Sequence, residues 1–95
     1  MDEKLWSLAS YIKISKNRKK LLLELAKSPK MPSELVNKLN LTFATVSKNL
    51  KSLKDKQLIY CLNPDQKKGR TYFLTTTGDQ VISLLIDTKK KEKLI

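Results

Sequence analysis

Apolar and polar positions along the 95 residues recur with a helical period over most of the chain. From Thr42 to Lys56, Val46, Leu50 and Leu53 fall at i, i+4 and i+7, the spacing that stacks side chains on one helical face. Thr42 suits the N-cap, because its hydroxyl accepts from an open N–H of the first turn. The opposite face carries Ala44, Lys48 and Lys51, flanked by Thr45 and Ser47. Upstream, Leu5, Leu8, Ala9 and Ile12 mark a helix from Asp2 to Lys13, acidic at its start as the helix dipole prefers, with Trp6 and Tyr11 beside the stripe. Ser15 caps a second helix from Lys16 to about Ala26, with Leu21, Leu22, Leu25 and Ala26 inward. Pro29 and Pro32 break it. A residue before proline is biased toward extended backbone, which places Met31 in a very short strand. A third helix runs from Pro32 or Ser33 to about Lys38, with Leu35, Val36 and Leu39 inward. Leu39-Asn40-Leu41 is then a tight turn whose Asn tolerates left-handed backbone.

After Lys56 the period changes. Gln57–Leu62 and Thr71–Leu74 are short and rich in β-branched and aromatic residues, and predict two strands of a hairpin around the polar, basic tip Asn63–Arg70. Thr75 or Thr76 caps a last helix from about Thr77 to Lys90, in which Val81, Ile82, Leu84, Leu85 and Ile86 exceed a single stripe. Lys89–Lys93 reads as a charged, fraying tail. No repeat or linker interrupts the chain. The expected fold is mostly α with a small β-hairpin (α+β), one domain over 1–95: an N-terminal helix 1–13, a core 16–75 and a C-terminal helix 76–91.

Composition narrows the chemistry. An apolar fraction of 40% and a charged fraction of 31% suit a soluble folded protein, and two Gly with three Pro favour helices. Twenty Lys+Arg against nine Asp+Glu give a net charge of +11. That surplus attracts polyanions, nucleic acid first and an anionic membrane surface second. No run approaches the roughly 20 apolar residues of a membrane span, and Met-Asp-Glu-Lys lacks a secretory layout, so the expected location is the cytoplasm. With one Cys and no His there is no intramolecular disulfide, no zinc cluster and no histidine base. No enzymatic activity, cofactor or metal is expected. Cys61 reads as a small core residue rather than a redox switch.

Helix, short turn, capped amphipathic helix is the sequence form of a helix-turn-helix, and the Thr42–Lys56 face suits a DNA major groove. Lys16, Asn17 and Arg18 place cations at a helix N-terminus, against the dipole. A DNA phosphate there would offset the cost, and a merely solvated basic face is the alternative. The terminal helices carry surplus apolar surface, which makes Leu5, Trp6, Leu8, Ile12, Val81, Ile82, Leu85 and Ile86 candidates for a dimer contact, with plain core packing the other reading for the first helix.

Three motifs in order carry a resemblance. They are the Ser-x-x-Arg-x-x-Leu-Leu pattern at Ser15–Leu22, the Thr-Val-Ser-x-x-Leu-x-x-Leu run at Thr45–Leu53, and Gly-Arg-x-x-x-Leu-Thr-x-x-Gly at Gly69–Gly78. Over about Ser15 to Ile86 the chain resembles the winged helix-turn-helix transcriptional regulators of the ArsR and MarR type, especially short archaeal members. The resemblance implies a recognition helix at 42–56 with Thr42, Ala44, Thr45, Ser47, Lys48 and Lys51 at the groove. It implies a wing at 63–70 with Lys67, Lys68 and Arg70 on the backbone or minor groove. Thr42 and Ser47 would bond phosphates, and Lys48 and Lys51 would reach guanine acceptors or phosphates. Some positions depart from the pattern. Phe43 stands where a polar residue is common, at the edge of the core stripe, which favours packing over contact with a thymine methyl. Gln57 stands where Gly is common. The cysteine pairs of metal sensors are absent. Arg70 is either a structural tie or a minor-groove finger. The implied function is a dimeric, sequence-specific regulator of double-stranded DNA, a repressor by default, with no effector named. A protein-interaction module of a transcription or replication assembly and a general chromatin-type DNA binder are the alternatives.

Overall fold

Each helix starts or stops where a side chain satisfies backbone groups that the helix leaves open. A computed structural model describes the backbone of residues 3–94 and the side chains of residues 3–86. It contains α1 (Glu3–Lys13), α2 (Lys16–Lys27), α3 (Pro32–Leu39), α4 (Phe43–Asp55), β1 (Ile59–Cys61), β2 (Tyr72–Leu74) and α5 (Thr76–Leu94). The described chain is mostly helical with one antiparallel hairpin, the expected class. Asp2 and the side chains of the Lys89–Lys93 tail lie outside the described residues. The α5 backbone continues to Leu94 rather than ending near Lys90.

Ser15 Oγ accepts from Arg18 N at 3.3 Å and starts α2. At the end of α2, the buried Lys30 folds back. Its Nζ donates to Glu24 O at 2.9 Å and Ser28 O at 3.3 Å, serving carbonyls that the end of the helix leaves open, and to the Ser28 hydroxyl at 2.9 Å. Pro32 opens α3, and Glu34 Oε1 accepts from Met31 N at 3.0 Å. Asn40 closes α3 in the left-handed region at φ 54°.

Thr42 caps α4. At the far end Gln57 is left-handed at φ 61°, Leu58 N donates to Leu53 O and Gln57 N to Lys54 O. Those two bonds make a Schellman motif, with Leu53 and Leu58 both buried beneath it. Gln57 thus takes the strained backbone that glycine would supply freely. Thr75 then does two jobs: its Oγ1 accepts from Gly78 N at 3.0 Å to start α5, and donates to Gln57 O at 2.8 Å. A Cβ on Gly78 would collide with the Leu58 carbonyl and the Leu74 side chain, which explains a glycine inside the first turn of α5.

One core holds the elements together. Ile12, Leu21, Leu22, Leu35, Val46, Leu53, Leu58, Ile59 and Val81 are fully buried in it. The hairpin pairs Ile59 with Leu74, Tyr60 with Phe73 and Cys61 with Tyr72. A third partner joins at Lys30, whose N–H and carbonyl both bond Tyr72. The short extended segment is therefore Lys30, one residue before the expected Met31. Both strands are also shorter than expected. Cys61 is half-buried, with Sγ 3.8 Å from Asn63 Oδ1.

Expectations about burial fail on α2, on the terminal helices and at Phe43, which is exposed rather than packed. On α2 the inward position belongs to Glu24, only 4% exposed, while Ala26 is exposed. Glu24 is compensated by Lys27, whose Nζ lies 3.0 Å from Oε2, and by Lys38 of α3 at 3.7 Å from Oε1. The Lys27 hydrogen bond, with the nearby charges of Lys27, Lys38 and Lys30, holds its carboxyl below the usual glutamate range against the cost of burial. The second failure concerns the terminal helices. Leu8, Ile12, Val81 and Ile82 are buried within the single chain, where α1 and α5 pack together, so they are core rather than dimer surface. Leu5 and Leu85 are half-buried against that core, and Trp6 and Ile86 remain 43% and 46% exposed.

Candidate nucleic-acid interface

A cleft of about 630 Å³ lies between α4, the start of α3 and the hairpin loop. Five of its lining residues are cations: Lys51 and Lys54 on α4, and Lys67, Lys68 and Arg70 on the loop. Asp55 is the one carboxylate among the lining residues. The helix and the hairpin thus present their charge to one concavity, not to opposite sides of the molecule.

The wall formed by α4 is a helical stripe. Phe43, Ser47 and Lys51 stand at i, i+4 and i+8, and Lys54 follows one turn later; all four line the cleft. Ala44 and Lys48 are exposed beside this stripe, on the side turned away from the buried Val46, Leu50 and Leu53. Thr42 is committed locally. Its Oγ1 accepts from Thr45 N at 3.1 Å and donates to Thr45 Oγ1 at 2.8 Å. The two hydroxyls share one bond, so the pair keeps one proton to offer a phosphate.

The wall formed by the loop is knitted by Asn63. Its Oδ1 accepts from Thr71 N at 2.9 Å, and its Nδ2 donates to Gln66 Oε1 at 3.0 Å and Gly69 O at 2.9 Å. Gly69, left-handed at φ 73°, turns the tip. Arg70 Nε donates to Gln66 O, so this arginine ties the loop to itself while its side chain stays exposed at the cleft. Among the described residues it makes no hydrogen bond or ion pair with a helix carboxylate.

The basic start of α2 lies elsewhere. Lys16, Asn17 and Arg18 do not line the cleft. Arg18 is spent on α1: Nε and Nη2 donate to the Tyr11 carbonyl at 3.1 and 2.8 Å, and the guanidinium lies 3.8 Å above the Tyr11 ring. Tyr11 O belongs to the last turn of α1, where helical carbonyls lack partners, so Arg18 caps the C-terminus of α1. The helix starts that do reach the cleft are those of α3, through Met31, Pro32 and Ser33, and of α4, through Phe43.

A sequence profile of winged helix-turn-helix domains matches residues 19–93. The chain belongs to the winged helix-turn-helix family. In the terms of that family α3 and α4 are the helix-turn-helix, α4 its second helix, and the β1–β2 hairpin the wing. The crystal structure of the ST1889 protein from the thermoacidophilic archaeon Sulfolobus tokodaii is similar, with a TM-score of 0.64 and 21% identity over 96% of each chain. At that identity the likeness speaks for the fold. No curated protein matches the sequence. Among the described residues no helix is long and apolar enough to cross a membrane, and no group of acidic or cysteine side chains is placed to hold a metal ion.

Among the cleft residues not chosen from sequence as groove contacts are Phe43, Lys54 and Ser33. The i, i+4, i+8 stripe was a usable signal for the first two. Ser33 had none, because its position depends on how α3 meets the wing.

Proposed function

We propose that this chain is a sequence-specific double-stranded-DNA-binding transcriptional regulator of the ArsR and MarR-like type, acting as a homodimer. The observation that carries the reading is the shared cleft, in which α4 and the wing direct five cations to one side. With α4 in the major groove, Thr45, Ser47 and the outward Ala44 and Lys48 stand toward base edges, and Lys51, Lys54 and the wing cations toward phosphates. The dimer contact draws on what the core leaves exposed, Trp6 and Ile86, with Leu5 and Leu85 at its edge. Two copies related by a two-fold axis would then meet successive major grooves roughly 34 Å apart. Repression by occluding a promoter is the default for a domain of this size. The test is selection of bound sequences from a random duplex pool, with sedimentation of the free protein. A pseudo-palindromic site and a dimer support the proposal. Binding to random duplex weaker than about 10⁻⁴ M at low salt would refute it and favour a protein-interaction module, because phosphate contacts alone give that affinity.

A further inference from the structure

Phe43 is out of place for a residue near the core stripe of a helix. It is 57% exposed, and its ring lines the cleft beside Ser47 and Lys51. Leu50 on the same wall and Met31 and Pro32 also line the cleft, yet more than half of the Phe43 surface stays open. The residue is also held firmly. It opens α4 immediately after Thr42, whose hydroxyl is doubly bonded to Thr45, so the backbone that carries the ring is fixed before any partner arrives.

The start of a recognition helix is the part that approaches base edges. A phenyl ring has no hydrogen bond to offer there. The one apolar group on a major-groove base edge of unmodified DNA is the C5-methyl of thymine. Phosphates and sugars are served by the surrounding cations and hydroxyls and gain nothing particular from an aromatic ring.

We infer that Phe43 reads the C5-methyl group of a thymine, so that the DNA recognised by this chain carries thymine at one fixed position of each half-site. The inference rests on the DNA-binding reading above. It assigns specificity to a residue that composition and charge pass over. Ser47, one turn further along the same stripe, stands toward the adjoining base or its phosphate.

Deoxyuridine isolates the methyl, since uracil pairs as thymine does and lacks only that group. Selected duplexes are prepared with uracil replacing each thymine in turn, and affinities are measured by fluorescence anisotropy for the wild type, Phe43→Ala and Phe43→Leu. One buried methyl corresponds to about a fourfold change in affinity. The wild type is expected to bind about fourfold more weakly at one thymine per half-site and unchanged at the others. Phe43→Ala is expected to bind thymine and uracil alike at that position, and Phe43→Leu to retain part of the discrimination. A cooperative thermal melt of the alanine variant like that of the wild type reports that it folds. Equal binding of thymine and uracil duplexes by the wild type at every position would overturn the inference, as would discrimination that survives in Phe43→Ala. In both cases retained specific binding leaves the DNA-binding reading standing. Failure of the wild type to bind any duplex brings down both.

Discussion

The charge of the cleft makes a quantitative prediction about salt. If each of its five cations meets one phosphate, the slope of log K against log salt is roughly −4.5 per protomer, at about 0.9 per contact. Raising salt from 50 to 200 mM then weakens binding to random duplex by roughly 500-fold per protomer. The double variant Lys67→Ala/Lys68→Ala removes the two wing lysines and leaves three cations. Its slope is expected near −2.7, and the same change in salt should weaken it by only roughly 40-fold. Both lysines are exposed, and Asn63 and Arg70 organise the loop around them, so folding should be unaffected. The control is Lys16→Ala, a cation of similar exposure that does not line the cleft and should leave the slope unchanged. Fluorescence anisotropy on one random duplex at four salt concentrations reads all three slopes. A slope change below about one unit for the wing pair, or an equal change for Lys16→Ala, would refute the placement of phosphate contacts in the cleft.

Three further outcomes follow from the packing. Gln57→Gly relieves a left-handed residue at the end of α4 and is expected to stabilise the fold by about 1 kcal/mol, read as a higher urea midpoint with an unchanged m-value; a lower midpoint would show that no strain resides there. Asn63→Ala deletes the three hydrogen bonds that hold the wing, so hydrogen exchange should quicken at Gln66–Thr71 and affinity for random duplex should drop, while protection of the α4 amides stays as it was. Glu24, whose carboxyl is held below its usual range chiefly by Lys27, contributes stability that is present above the unfolded-state value and lost as pH falls through the lower folded one. Thermal melts from pH 6 to pH 3 should therefore show an acid-sensitive component that Glu24→Gln lacks, and identical pH profiles for both proteins would contradict the assignment.

What could be read from the chain was whatever is decided locally. Ser15, Thr42 and Asn40 each act on a backbone group within a few residues, and each does in the structure what its side chain and position imply. Gln57, standing where glycine is usual, had to take left-handed backbone at a cost or close the helix differently, and it takes the left-handed backbone. Where a partner comes from another element, the sequence misleads. Glu24 looks like a solvent residue because Lys27, one turn on, would suit an exposed pair equally well, and the Lys38 and Lys30 charges that join it come from the next helix and the connection before it. Arg18 looks like a phosphate ligand because its acceptor, Tyr11 O, is in the preceding helix. The apolar residues of the two terminal helices, read as shared between core and subunit contact, go to the core at Leu8, Ile12, Val81 and Ile82 because those helices meet, which nothing local says. Phe43 fails in the opposite direction. Its angle on the helix predicts burial, but burial needs an opposing element, and beyond the first turn of α4 lies the cleft.

The same distinction bears on how the cleft keeps its shape. Its two main walls are α4 and the wing, and a small relative tilt would separate Lys51 and Lys54 from Lys67 and Lys68. The joint between them is Gln57-Leu58. On the helix side the Schellman bonds from Gln57 and Leu58 lock that joint to Lys54 and Leu53. On the hairpin side Thr75 N donates to Leu58 O and Thr75 Oγ1 donates to Gln57 O, so the strand that returns from the wing grips the same two residues. Gly78 lets α5 approach close enough for this grip, because any side chain there would strike the Leu58 carbonyl. A non-glycine residue is tolerable at 57 for that reason: the strain is held by bonds from both sides and is not free to relax by moving the wing. The Gly-Arg-x-x-x-Leu-Thr-x-x-Gly run therefore serves the interface at both ends, its first two residues shaping the wing at the cleft and its last four fixing the angle at which the wing stands.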